Sequence, residues 1–180
     1  MKKRKANRLK GYDYSKNNLY FITNCVKNNV CCLGRVVHKE VGYNRSVQNL
    51  ENDILDLKYD TELNQFGILV DEKINWLINQ YPYIDIHNYK IMPNHFHLII
   101  EIDRTKVSVA EIKIKSLSSL MGALKTTSSK AIHNEGLETF AWHRSFHDHI
   151  IRSEESYHRI FNYIDYNPDR WAEDKFYIPS

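Results

Sequence analysis

The stretch YIDIHNYKIMPNHFHLIIEI, Tyr83–Ile102, decides the fold. Tyr83 to Ile91 and His95 to Ile102 are both rich in β-branched and aromatic residues, so each reads as a strand. Pro93-Asn94 between them is a turn signal, and the pair reads as a hairpin. Side chains alternate across a strand, so Phe96, Leu98, Ile100 and Ile102 share one face, and all are apolar. That face belongs to a core. His95, His97, Ile99 and Glu101 share the other.

The upstream segment carries Ile68, Leu69, Ile74, Leu77 and Ile78, and Pro82 follows. This spacing predicts a helix over Gly67–Asn79. Leu19–Val26 reads as a strand and Leu33–His38 as a second, short one, whereas Val41–Gln65 is polar and carries no clear period. Downstream, Ser116–His133 reads as a long helix and Phe146–Ile151 as a strand. Ser153–Asn167 reads as a final helix, with Ser153 at the N-cap and Glu154 and Glu155 at its positive end. Pro168 stops it. The order contains βαββαβ, a ferredoxin-like α+β arrangement. Helices are expected on one sheet face, leaving the other for a ligand.

At 180 residues with 42% hydrophobic and 26% charged residues, the chain suits one soluble domain. We expect a basic arm over 1–16, with Lys2, Lys3, Arg4, Lys5, Arg8, Lys10 and Lys16 against Asp13 alone, and one domain over 17–180. The arm suits phosphate contact and equally a solubilising tail. No apolar run is long enough to cross a membrane, and none follows the basic start as in a secretory signal. Cys25, Cys31 and Cys32 are odd in number and lack CxxC spacing, so they read as reduced thiols of a cytoplasmic protein.

Two imidazoles two residues apart on one strand face can converge on a divalent cation. The same spacing also fits two histidines on a half-exposed strand. His147 and His149 repeat it, and spacing does not separate the pairs. In the last helix Tyr157, Ile160, Phe161 and Ile164 form an apolar stripe, with Tyr163 and Asn167 on its flank and Tyr166 turned to solvent. A phenol beside an amide can supply a nucleophile and a carbonyl ligand to one site. It can equally be a half-buried aromatic and a capping asparagine.

Four segments together resemble a known family. Met92-Pro93-Asn94-His95-Phe96-His97-Leu98-Ile99-Ile100 resembles the HUH motif of single-tyrosine transposases. Phe146-His147-Asp148-His149-Ile150-Ile151-Arg152 resembles that family's second histidine strand, and Tyr163-Ile164-Asp165-Tyr166-Asn167-Pro168 its tyrosine helix. Ser116–Lys130 resembles its Ser/Thr/Lys-rich helix. The match is to REP-associated tyrosine transposases of the HUH endonuclease superfamily, over about Leu19–Trp171.

The resemblance implies a transposase that nicks and rejoins single-stranded or hairpin DNA through a 5′-phosphotyrosine on Tyr163. It implies Mg²⁺ or Mn²⁺ on His95, His97 and Asn167. His147, Asp148 and His149 would support the ligands or DNA, or pack structurally. Lys125, Ser128, Trp142 and Arg152 are DNA-contact candidates, Trp142 by stacking on an unpaired base or, equally, as a core residue. Related transposases form dimers with a swapped tyrosine helix or act as monomers; a monomer is the expectation here. Two other readings stand beside this one, a non-cleaving DNA-binding relative and a four-histidine metalloenzyme.

Overall fold

The computed structural model describes residues 11–39, 58–108 and 112–178. Most of the basic arm lies outside them. Among the described residues six strands and three α-helices follow in chain order: β1 (Asn18–Cys25), β2 (Gly34–His38), β3 (Tyr59–Leu63), α1 (Gln65–Gln80), β4 (Ile84–Met92), β5 (His95–Ile102), α2 (Leu117–Asn134), β6 (His147–Ile151) and α3 (Glu154–Asp165).

The main sheet has the order β4-β5-β1-β6, and every neighbouring pair is antiparallel. Leaving out the separate β2–β3 hairpin, this is the ferredoxin-like order expected from the βαββαβ pattern. The hairpin is inserted between β1 and α1. β3 lies in the stretch with no readable period; its alternation, Tyr59-Asp60-Thr61-Glu62-Leu63, is too polar to signal a strand.

Each helix begins on a side-chain cap. Asn64 accepts from the Phe66 and Gly67 N–H groups, Ser116 from Ser119, and Ser153 from Ser156. These caps satisfy donors that the first turn leaves free. α1 buries Gly67, Val70, Ile74 and Leu77, a stripe displaced from the predicted one: Ile68 faces out. α2 packs beside α1. Together they cover the sheet face carrying Tyr20, Ile22, Phe96, Leu98 and Ile100.

The opposite face is not open, contrary to the expectation. α3 lies across it, burying Ile160 and Ile164 on Ile99 and Ile151. Two devices fix α3 there. The Asn88 amide donates to the Phe161 carbonyl at 3.2 Å and to Asp165 Oδ1 at 2.9 Å. His87 is the extra residue of a bulge in β4, which turns its ring towards α3. There Nε2 donates to Glu101 at 2.9 Å, since a carboxylate can only accept, and Nδ1 lies 3.1 Å from the Tyr157 hydroxyl.

Candidate active site

β5 carries both histidines onto the face that α3 covers, and they are buried, at 0% exposure for His95 and 1% for His97. Their Nε2 atoms lie 3.0 Å apart. Each Nδ1 has a partner: Asn94 Oδ1 at 2.9 Å for His95, and Thr23 Oγ1 at 2.8 Å for His97. The Asn94 amide nitrogen donates to the Asn29 and Phe176 carbonyls. Its oxygen must therefore accept from His95 Nδ1–H, and His95 Nε2 is left as a bare lone pair. Burial holds both imidazoles neutral, lowering the His95 pKa to about 4 and that of His97 well below its ordinary value.

The tyrosine arrives from α3. Tyr163 is 38% exposed, and its hydroxyl sits 3.3 Å from His97 Nε2. Its ring meets those of Phe21 and His97 edge-on. Burial raises the phenol pKa, the Asp174 charge adds to the rise, and the Asn167 amide opposes it. A phenol so placed needs a nearby cation to ionise.

Asp174 is the site residue that sequence reading missed. It follows a 3₁₀ turn at Trp171–Glu173, in a region with neither periodicity nor motif. A carboxylate oxygen of Asp174 and one nitrogen from each histidine all lie within 4.8 Å of one another. Asn167 stands beside them. Its Nδ2 approaches Asp174 Oδ2 at 3.4 Å, while its Oδ1 is buried with no hydrogen-bond partner. Asn167 lies just past the end of α3, and its N–H still bonds the Ile164 carbonyl at 3.3 Å. Pro168 has therefore not pulled it away from Tyr163.

This donor set fits a divalent cation. With His97 also carrying its proton on Nδ1, donated to Thr23 Oγ1, both Nε2 lone pairs would converge on one point that a cation can occupy. Ligand bonds of about 2.1 Å meeting at a right angle separate two nitrogens by about 3.0 Å, which suits an octahedral ion. Asp174 adds a charged oxygen, and the orphaned Asn167 Oδ1 is a neutral one. Trp171 and Phe176 close over His95, with ring centroids at 6.0 and 4.8 Å.

Other predicted residues fall elsewhere. His147 and His149 are exposed on β6, an edge strand, and neither contacts His95 or His97. Thr23 occupies the register position between His97 and His147. Asp148 pairs in register with Ile22 and so faces the α1–α2 side, where it cannot orient a ligand. The ligand-orienting role falls to Thr23 and Asn94 instead, the exposed His147 and His149 keep only the DNA-contact reading, and a four-histidine centre has no basis in this geometry.

Ser128 and Trp142 are corrected from DNA contacts to core residues. Ser128 is fully buried, donates to the Leu124 carbonyl and accepts from the Trp142 indole at 2.9 Å. Trp142 packs edge-on against Phe96 and Phe140. Lys125 donates to the His143 and Arg144 carbonyls, stapling α2 to that loop, and burial lowers its pKa. Ser129 and Lys130 line a surface groove that Lys125 and the edge of Trp142 also border. Arg152 is exposed and lines a surface cavity with Ser153, Tyr157 and His158.

A ferredoxin-like sheet presenting a histidine pair to a helix-borne tyrosine is the arrangement expected of a single-tyrosine transposase, and the comparisons agree. Residues 70–167 match the family model described as "Transposase IS200 like". The chain belongs to that family. An uncharacterized protein of Haemophilus influenzae is 29% identical over 188 residues, spanning 97% of this chain and 93% of its own. Among solved structures, a REP-associated tyrosine transposase bound to a REP hairpin superposes with a TM-score of 0.55 at 18% identity, over 91% of this chain and 73% of that one. A putative transposase from Deinococcus radiodurans gives 0.48 at 14% identity, covering 88% and 95% of the two chains.

Proposed function

We propose that this protein is a metal-dependent endonuclease and strand transferase acting on single-stranded hairpin DNA, with Tyr163 as its nucleophile. The observation that carries the reading is the 3.3 Å approach of the Tyr163 hydroxyl to His97 Nε2, itself 3.0 Å from His95 Nε2. The hairpin substrate is carried over from the transposase bound to a REP hairpin.

His95, His97 and Asp174 would hold the cation, with Asn167 Oδ1 beside them. Mg²⁺ or Mn²⁺ is the expected ion, and two imidazoles favour Mn²⁺. The bound ion would supply Lewis-acid neutralisation of the scissile phosphate and favour the phenolate. The residues do the rest. Thr23 and Asn94 fix the imidazole orientations, and the α3 anchors hold Tyr163 over His97. The Tyr163 oxygen attacks phosphorus as the P–O3′ bond breaks. The phenolic proton leaves to solvent, and the 3′ oxygen takes one up. The DNA 5′ end stays on Tyr163, ready for rejoining. Lys130, Ser129 and Arg152 are available to backbone phosphates.

Incubation with Mn²⁺ and a hairpin oligonucleotide labelled in turn at each end tests this on a denaturing gel. The 3′-side fragment should stay with the protein, and the 5′-side fragment should be released with a free 3′-OH. Retention of the 5′-side fragment would contradict the assigned polarity. Binding without any adduct would favour the non-cleaving reading.

A further inference from the structure

The buried histidine pair leaves open how a phosphodiester would reach it. Trp171 and Phe176 pack on His95, and Phe21 stacks on His97 at 5.4 Å. A cavity of about 190 Å³ borders the site from the remaining side, lined by Tyr163, Tyr166, Asn167, Arg170, Glu173, Asp174 and Lys175. It joins the nucleophile, the asparagine and the carboxylate to two basic side chains.

We propose that this cavity is the seat of the scissile phosphodiester, with Arg170 and Lys175 binding its non-bridging oxygens. The inference rests on the transposase reading above and names the residues that receive its substrate. Both side chains are exposed, and among the described residues neither makes an ion pair. The Asp174 carboxylate is turned to the histidines, which leaves two cations against one acid, Glu173. Lys175 directly follows Asp174, and its ammonium rests 4.6 Å from the centre of the Phe176 ring, the ring that packs on His95. Arg170 sits on the turn that continues α3; its N–H bonds the Tyr166 and Asn167 carbonyls. The two cations therefore flank the cavity on the segments that carry Asn167 and Asp174.

The chemistry asks for such groups. Charge develops on the equatorial oxygens during phosphoryl transfer, and preorganised cations stabilise it. An arginine offers two parallel donors to a phosphate, and a lysine a point charge. One divalent ion held by His95, His97 and Asp174 leaves oxygens that these two side chains are placed to meet.

Two measurements test the seat. The first needs no cleavage: the phosphorus line of thymidylyl-thymidine is followed by ³¹P NMR with Mn²⁺-loaded protein, and the paramagnetic ion broadens the line of any phosphodiester seated beside it. The wild type should broaden it. Arg170→Ala/Lys175→Ala should lose most of the effect while its Mn²⁺ affinity by calorimetry stays within about twofold. Equal broadening by both proteins overturns the seat, as does a parallel loss of Mn²⁺ affinity.

The second is the rate of covalent adduct formation on a hairpin oligonucleotide. Each alanine variant should slow it by roughly 100-fold, the scale for removing one preorganised donor, and Lys175→Arg should recover most of the loss. A methylphosphonate at the cleaved position should slow the wild type far more than the double variant. Adduct formed by both variants at the wild-type rate overturns the seat and leaves the transposase reading intact. Phosphodiester broadening that depends on Arg170 and Lys175, with no adduct, upholds the seat and contradicts the transposase reading.

Discussion

At the scale of single residues, the site is a hierarchy of who holds whom. Asn94 holds His95, Thr23 holds His97, and the histidines with Asp174 form the cluster that would hold the proposed cation. Removing a partner that orients a ligand typically costs 10- to 100-fold in metal affinity. Thr23→Val should therefore weaken Mn²⁺ binding by about 10-fold or more in calorimetry, with the fold intact by circular dichroism. Asp174→Ala should weaken it more than Asn167→Ala, because a carboxylate opposes the ion's charge and an amide only its dipole. Equal losses, or a larger one at Asn167, would return the third-ligand role to the asparagine. The sequence makes the histidines and the tyrosine legible, because strand alternation and helix spacing say where each side chain points. Asp174 was not legible, because an irregular segment carries no period. Neither was the pairing of Thr23 with His97, since their 74-residue separation is bridged only by sheet register.

At the scale of elements, α3 decides whether the tyrosine meets the histidines. Its apolar stripe is short, and polar pins on β4 supplement it. Asn88→Ala removes two hydrogen bonds to α3 and should cost about 1–2 kcal/mol in denaturant unfolding. It should slow adduct formation while sparing Mn²⁺ affinity, since no metal ligand is touched. Trp142 and Ser128 belong to a different account. Trp142→Ala empties a core position between Phe96 and Phe140 and should destabilise the fold by about 3–5 kcal/mol, with no selective loss of DNA binding. A stable Trp142→Ala protein with weakened DNA binding would restore the stacking role. α1 has its own constraint: a Cβ on Gly67 would lie 2.0 Å from the Leu33 carbonyl oxygen. The βαββαβ order was readable from periodicity and turn residues. β3 and the second layer formed by α3 were not: β3 is polar, and α3 carries too few apolar positions to announce which sheet face it covers.

For the molecule as a whole, one chain brings its own Tyr163 to its own His97, and we expect the site to work within one chain. Adduct yield per chain should be independent of protein concentration across the range where light scattering reports monomer. No helix among the described residues is long and apolar enough to cross a membrane. The net charge of +3 is small, so on the proposed reading DNA affinity is expected from local cations such as Lys130, Arg152, Arg170 and Lys175. Replacing any one of these with alanine should flatten the slope of log affinity against log salt by about one.

The central claim is that Tyr163 is the residue that becomes joined to DNA. The measurement is peptide mass spectrometry of the Mn²⁺-dependent adduct after digestion by protease and nuclease. A nucleotide phosphate is expected on the peptide containing Tyr163, and no adduct from Tyr163→Phe or His97→Ala. A nucleotide on Tyr157 or Tyr166, or an adduct that survives Tyr163→Phe, would contradict the claim.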